Sequence, residues 1–401
     1  MEPRATGPQL LRRTNMTVIL RHMRGAGVVT GSDLMAHTGL TRATVIAACN
    51  DLIRLGWVLE LESRRSTSDS LKGRPARRFR FNHGAGAVVG IDVGAAKTTV
   101  LVADLTGRRL GKAVESFSAF EAPAAERVAT IDRAVAEALE SAGLTHPMVL
   151  AAGVGVAAAV SRDGVISHRQ EFWEAFDMGL QTELWRRYGW TAQIENDANL
   201  AALAERWCGV GAGVDDLAVM LAGERIGTGL MESGRLLHGS AGGAGEVGNL
   251  ELIDGVGTAD GIAGLARLWG TAAVADGGPA TTLTALRGVG GTVTAEMVFH
   301  AAAGGDAVAR AILHRIALRM ARVVATFATM FNPALVVIGG AVAASAGTLV
   351  ATIERELPRW TATPPRVAVS TLGDAIVAVG AVRLALDYVE VNALELNVAP
   401  A

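Results

Sequence analysis

The chain has 401 residues, 50% of them hydrophobic and 4% aromatic, with 48 glycines and a formal net charge of −2. That length predicts two or three domains with sizeable cores, and frequent glycine beside scarce aromatics suits an α/β protein better than a β-sandwich. Two distant cysteines, Cys49 and Cys208, exclude a disulfide framework and a local cysteine zinc site, while no signal core in MEPRATGPQLLRRTN and no apolar run of roughly 18 residues leave a cytoplasmic protein without membrane contact as the expectation.

The charge is unevenly placed. Residues 1–82 hold 14 Lys and Arg against 6 Asp and Glu, whereas the rest holds 23 against 33. A basic head on an acidic body suggests that the head meets a polyanion; an ordinary solvated surface is the alternative. Within the head, MTVILRHMR (16–24) puts Val18, Ile19, Leu20 and Met23 on a helical stripe, and a glycine break follows. TGSDLMAHTGL reads as a short helix capped by Ser32 and ended by Gly39. TRATVIAACNDLIRLGW reads as another, with Thr41 as N-cap and Val45, Cys49, Leu52 and Ile53 on its apolar face. This is helix-turn-helix spacing, which places the N-terminal residues of the second helix in the major groove, so Thr41, Arg42, Ala43 and Thr44 are the candidate DNA contacts. After Gly56 the period changes to two. WVLELES and the run from Arg78 to Asn82 form a hairpin wing whose basic tip, KGRPARR, is stiffened by Pro75. Arg74 there can enter a narrow A·T-rich minor groove. A winged helix used for protein contacts is the competing reading.

From Gly84 the texture changes. GAVVGIDVGAAKTTVLVADLTGRRLG is two β-rich runs around Asp92-Val-Gly94-Ala-Ala-Lys97. Gly94 lets the backbone approach a phosphate, and Asp92 can hold a metal or its water shell; with no helix after the glycines, this is not a dinucleotide fingerprint. HPMVLAAGVGVAAAV (146–160) is a buried strand. IENDANLAALAE (194–205) opens an Ala/Leu helix on Glu195-Asn196-Asp197, where Asp197 can take a proton, hold a ligand or cap the helix. LAGERIGTGLMESGRLLHG (221–239) is a second strand pair around a glycine turn that includes Gly227 and Gly229. PALVVIGGAVAASAGTLVATIEREL (333–357) is a buried strand, Gly339-Gly340, then a helix.

In that order, a winged helix, GIDVGAAKTT, GVGVAAAV, IENDANLAALAE, GERIGTGLMESGRLLHGSAGGAGEVGN, NPALVVIGGAV and LGDAIVAVGA, the whole chain resembles the ROK family of repressors, open reading frames and sugar kinases. The head points to its regulator branch. The resemblance implies an α/β fold: an N-terminal winged helix-turn-helix, then an actin/hexokinase-like body of two ribonuclease-H-like subdomains with sugar and nucleotide in the cleft. The expected domains are 1–82, a first α/β subdomain at 83–198 completed by 376–395, and a second at 199–375. Asp197 matches the family aspartate that is the base in kinases and contacts sugar in repressors. The same resemblance makes Asn196, Asp197, Glu246 and Asn249 candidate ligand contacts.

Departures from the family pattern separate regulator from kinase. The family phosphate loop Asp-x-Gly-Gly-Thr-Lys is here Asp92-Val-Gly94-Ala95-Ala96-Lys97, short of a glycine and a hydroxyl. GERIGTG places Glu224 and Arg225 in the second loop, where an added carboxylate is unfavourable beside phosphates. Asp92, Gly94, Lys97, Gly227 and Gly229 therefore read as vestigial phosphate loops. Ala157-Ala158-Ala159 replaces a Pro-Gly, EFWEAFD (171–177) replaces an Asn-Leu-x-Trp segment, and Glu246-Val-Gly248-Asn249 replaces Glu-x-Gly-His. The segment that should carry a zinc loop, LELIDGVGTADGIAGLARLWG, has no Cys or His, and the family acid near Leu265 is missing. The expectation is a DNA-binding transcriptional regulator of carbohydrate metabolism, most simply a repressor. It would bind a double-stranded operator as a homodimer or higher homo-oligomer and sense a sugar-like effector, with no cofactor, metal or catalytic residue. The alternatives are an ATP-dependent sugar kinase with an added head and a ligand-blind regulator with a degenerate pocket.

Overall fold

Three sheets organise the computed structural model, which describes residues 7–62, 76–119, 122–168, 174–246, 252–275, 280–288 and 291–398. The head comprises α1 (Pro8–Gly25), β1 (Val28–Thr30), α2 (Gly31–Thr38), α3 (Arg42–Arg54), β2 (Val58–Leu61) and β3 (Arg78–Phe81). β3 pairs antiparallel with both β1 and β2. Ile19, Met23, Leu34, Leu52, Trp57 and Phe79 make a dry core beneath the helices.

Several details differ from the sequence reading. α1 begins eight residues before the apolar stripe at Met16, because Pro8 pre-sets a helical start although Leu10 and Leu11 bury little there. Val18 is 41% exposed and leaves the stripe to Ile19, Leu20 and Met23. The break after α1 holds a third strand, β1. Its pairing keeps Thr30 extended, so Thr30 rather than Ser32 caps α2. The Thr30 hydroxyl accepts from the Asp33 backbone at 3.3 Å while the Asp33 carboxylate accepts from the Thr30 backbone at 2.8 Å, a reciprocal capping box. Gly39 ends α2 in the left-handed region (φ 69°), where glycine avoids the Cβ penalty. The wing tip lies outside the described residues.

The body contains β4 (Ala87–Val93), β5 (Lys97–Asp104), β6 (Arg109–Ser116), α4 (Ala124–Ala142), β7 (Val149–Val156), α5 (Leu180–Tyr188), β8 (Ala192–Asn196), α6 (Asp197–Cys208), β9 (Leu217–Ala222), β10 (Ile226–Glu232) and β11 (Arg235–Leu236). It continues through α7 (Ile262–Ala273), α8 (Leu283–Arg287), α9 (Ala295–Ala303), α10 (Ala307–Phe331), β12 (Leu335–Gly339), α11 (Ala343–Glu356), β13 (Arg366–Val369) and α12 (Ile376–Asn392). The two five-stranded sheets, β6-β5-β4-β7-β8 and β11-β10-β9-β12-β13, share one topology: three antiparallel strands, then two parallel to the first. Both are ribonuclease-H-like, and together they make an actin/hexokinase-like body. β7 and β12 are buried at every position, as parallel strands covered on both faces require, which is why they read as unbroken apolar runs.

Two helices cross between the sheets. α6 packs on β9 and β10, and α12, from the end of the chain, packs on β4 and β7. They approach so closely that a Cβ on Gly380 would lie 1.9 Å from the Leu200 carbonyl oxygen. α12 also joins the head: Ile19, Trp57 and Phe81 share one apolar core with Val88, Leu386 and Val389. Among the described residues no helix is long and apolar enough to cross a membrane.

Candidate functional site

Two surfaces carry the candidate residues. On the head, the Thr41 hydroxyl accepts from the Thr44 backbone at 3.3 Å and lies 2.9 Å from the Thr44 hydroxyl, which starts α3. Thr41, Arg42 and Ala43 are exposed and Thr44 is half-buried, so the expected contact face is presented to solvent. Further along, Asn50 is exposed, and its side-chain oxygen accepts from Arg77 at 2.8 Å. Arg77 also forks onto both oxygens of Glu60 at 2.7 Å, which ties the base of the wing to α3. Beneath, nearly buried Asp51 takes Arg12 and Arg54, each at 2.7 Å. Neither Asn50 nor Arg77 was singled out from the sequence, since their pairing joins positions 27 apart. Arg74 lies outside the described residues.

The second surface is the cleft between the two sheets. β4 delivers Asp92 to its rim, and the turn to β5 closes with the Gly94 backbone donating to the Lys97 carbonyl at 3.0 Å. Arg127 of α4 braces that turn from beneath. Its guanidinium is nearly buried, donates to the Gly94 carbonyl at 3.0 Å and stacks on Phe117 with 3.9 Å to the ring centroid. Lys97 lies 3.2 Å from Asp374, just before α12, and Lys112 sits 3.9 Å from the same carboxylate. The hydrogen bond from Lys97 holds the Asp374 carboxyl below the usual range. Lys97 is thus tied to the start of α12 as well as facing the cleft.

Opposite, β8 runs into α6. Asn196 is the helix cap: its side-chain oxygen accepts from the Asn199 backbone at 3.0 Å and its amide donates to the Ala158 carbonyl at 3.0 Å. With 8% exposure it braces the junction. Asp197 is the first helical residue, half-buried, and one oxygen accepts from the Ala198 backbone at 2.7 Å. Gly227 and Gly229 sit in β10 against this helix start. A Cβ on Gly227 would lie 3.8 Å from the Asp197 carboxylate, and one on Gly229 would lie 2.0 Å from the Ala198 carbonyl oxygen. Close packing of strand on helix therefore requires glycine at 229, whatever the cleft binds.

Glu195 and His238, to which the sequence reading gave no role, lock the same junction. Buried Glu195 accepts from Asn199 at 2.9 Å and meets His238 at 2.7 Å, and that hydrogen bond raises the imidazole pKa. The segment after His238 leads to Glu246, which is solvent-accessible yet walled by enough protein to feel its neighbours. Asn249 lies outside the described residues. Glu224, expected as a repulsive charge in the second loop, is paired with Arg267 at 2.6 Å on α7, so its charge has a partner. Among the described residues no group of three His, Cys, Asp or Glu is placed to hold a metal ion.

The cleft's electrostatics follow from three carboxylates of like sign. Asp92 is pushed up to about 7 by burial and by Asp197 and Asp374, with Lys97 partly opposing. Burial pushes Asp197 up to about 6, and Glu246 goes to about 7 through burial and the charge of Asp197. Near neutral pH such a group holds both protonated and ionised carboxyls, so it can donate and accept hydrogen bonds at once. That suits a ligand rich in hydroxyls.

The profile of the ROK family matches residues 88–388. A glucokinase of Halalkalibacterium halodurans is 30% identical over 73% of this chain and 92% of its own. A xylose repressor of Caldicellulosiruptor bescii is 24% identical over 82% of this chain and 84% of its own. Among solved structures, a ROK family transcriptional regulator, described as a homologue of the E. coli MLC protein, superposes with a TM-score of 0.77 at 20% identity, covering 96% of this chain and 98% of that one.

Proposed function

Because the chain belongs to the ROK family, we propose that it is a DNA-binding transcriptional regulator whose body dimerises the heads and binds a sugar or sugar derivative in the cleft. The observation that carries this reading is a winged helix sharing one core with the body, its α3 start exposed. The similarity to a xylose repressor, which extends over most of both chains, supports it. In this reading residues 1–82 form the DNA-binding domain, 83–198 with 376–395 the first subdomain, and 199–375 the second. Thr41, Arg42, Ala43 and Thr44 meet base edges and phosphates, and Arg74 reaches the minor groove. Asp197, Glu246 and Asn249 hold the ligand's hydroxyls while Asn196 braces the helix from which Asp197 projects. Asp92, Gly94, Lys97, Gly227 and Gly229 are remnants of phosphate loops, with Lys97 and Gly229 now serving packing and pairing. Ligand shifts DNA binding only through a difference in affinity for the two arrangements of the heads.

The test is selection of genomic DNA fragments on the full chain, followed by footprinting. Arg42→Ala is expected to weaken specific binding about tenfold to a hundredfold, the scale of one base-contacting arginine. Retention of all fragments alike, or an unchanged footprint for that variant, counts against the assignment.

A second reading, ATP-dependent sugar phosphorylation, is favoured by one observation. Asp197, at about 6, is largely ionised at neutral pH and able to accept a hydroxyl proton, and Lys97 remains in the cleft. The glucokinase similarity supports it too. A coupled ADP assay over a hexose and pentose panel separates the two: turnover that disappears in Asp197→Asn establishes the kinase.

A further inference from the structure

Head and body share one carboxylate oxygen. Arg24, near the end of α1, has a side chain only 13% exposed. Its guanidinium lies 2.9 Å from Glu390 Oε1 on α12, approaches the Leu105 carbonyl of the β5–β6 turn at 3.5 Å, and sits over the Phe81 ring with 5.4 Å to the centroid. The same Glu390 Oε1 receives Arg383 of α12 at 3.1 Å. Arg383 also pairs with Asp387 and lies over Trp207, near the end of α6, with 5.7 Å to the ring centroid. Two guanidinium groups from different parts of the fold thus meet on one oxygen. Burial and the neighbouring Arg383 charge push the Arg24 pKa down to about 10.

Both body helices at this seam begin in the cleft. α6 starts at Asp197 and ends beside Arg383; α12 starts beside Asp374, the partner of Lys97, and reaches the head with Glu390. Ile376 to Glu390 is 14 helical steps, about 21 Å of helix. Because α6 and α12 touch backbone to side-chain position at Gly380, neither can slide without moving the other. A shift of α6 at the cleft is therefore felt at Trp207 and at the Arg383 guanidinium that lies over it, beside Glu390.

We propose that Glu390 is the positioning residue that sets the head's pose on the body, and that its oxygen is divided between Arg24 and Arg383 according to what the cleft holds. This deepens the regulatory reading above and rests on it for the identity of the signal and for the paired recognition helices. When Arg383 draws away, Arg24 keeps the carboxylate and α1 is held tightly; when Arg383 takes it, α1 loosens and the two recognition helices lose a fixed spacing.

Hydrogen exchange on the full chain, without DNA or ligand, tests this through peptides covering α1 and the Leu105 turn. Glu390→Gln is expected to speed exchange there about tenfold, the scale of one charge-assisted hydrogen bond. Arg383→Met, which keeps an apolar stem on Trp207, is expected to slow it severalfold by leaving the oxygen to Arg24. Lys97→Met, at the other end of α12, is expected to change exchange in α1 by threefold or more. A purely structural role predicts that Glu390→Gln and Arg383→Met both loosen α1. That result, or an α1 indifferent to Lys97→Met, overturns the proposal. Should Glu390→Gln fail to fold, Arg383→Met decides alone: slower exchange supports the sharing and faster exchange refutes it. None of these readouts requires an operator or effector, so a chain that binds no DNA would sink the functional reading without touching this one.

Discussion

The head and the cleft handle charge in opposite ways. In the head, three carboxylates around α3 have partners: Asp51 takes Arg12 and Arg54, Glu60 takes Arg77, and Asp33 closes a capping box with Thr30. In the cleft, Asp92, Asp197 and Glu246 raise one another's pKa values or are raised by burial. A surface with exposed cations can pair these carboxylates and still present positive charge. The cleft instead keeps carboxylates of like sign near one another, and the folded state carries that cost. The contrast predicts where stability and function trade against each other.

The largest expected effect lies in the cleft's packing. Gly229→Ala drives a Cβ into the Ala198 carbonyl, and should lower unfolding free energy by about 3 kcal/mol, since backbone must move. Urea unfolding showing a loss under about 1 kcal/mol would mean that the β10–α6 seam yields to an added methyl. Next, Asp197→Asn removes the charge that raises Asp92 and Glu246. After allowance for partial solvent access, it should stabilise the chain by about 1–2 kcal/mol at pH 8 while abolishing any ligand-induced shift in thermal unfolding. A destabilised variant would show that the aspartate's helix-start hydrogen bond outweighs the repulsion.

Thr30→Ala should cost about 1 kcal/mol through loss of the capping box, confined to the head. Amide exchange that changes equally in head and cleft would contradict that locality. The smallest effect, and the one that sharpens the contrast most, is the pH dependence. The cleft carboxylates have folded pKa values above their unfolded ones, so the native state binds the extra protons. Their contribution to stability therefore grows as pH falls from about 7 toward 4. Asp33 is shifted the other way by the Thr30 backbone hydrogen bond. Its contribution is present above its unfolded pKa and is lost only as pH falls through the lower folded value. Exchange measured from pH 8 to 3 should thus show the cleft tightening first and α2 fraying last; simultaneous loss would erase the distinction.

How much of this was legible follows the same division. Thr41 as cap of α3, Gly39 as the end of α2, and the buried runs of β7 and β12 could be read because the signals lie within a turn of helix or a single strand. Ser32 and Thr30 are both competent caps for α2, and only the pairing of Thr30 with Arg78 on β3 makes Thr30 the extended one. The family motifs pointed to Asp197 and Glu246, but nothing local marked Asn196 as fully engaged or Gly229 as a packing requirement.

The resemblance to the ROK family implied the two-sheet body and the zinc loop that lacks its ligands; by itself, the sequence determined the caps at Thr41 and Gly39, the buried runs of β7 and β12, and a basic helix-turn-helix head ahead of an acidic α/β body. These depend on hydrogen bonds a few residues apart, on periodicity and on composition. Only the tertiary structure decided that Lys97 pairs with Asp374, 277 positions away, that Arg127 braces the β4–β5 turn, and that Arg24 and Arg383 meet on Glu390. Those contacts depend on how two sheets and two crossing helices pack. Charge interactions fall off with distance in space and take no account of separation along the chain.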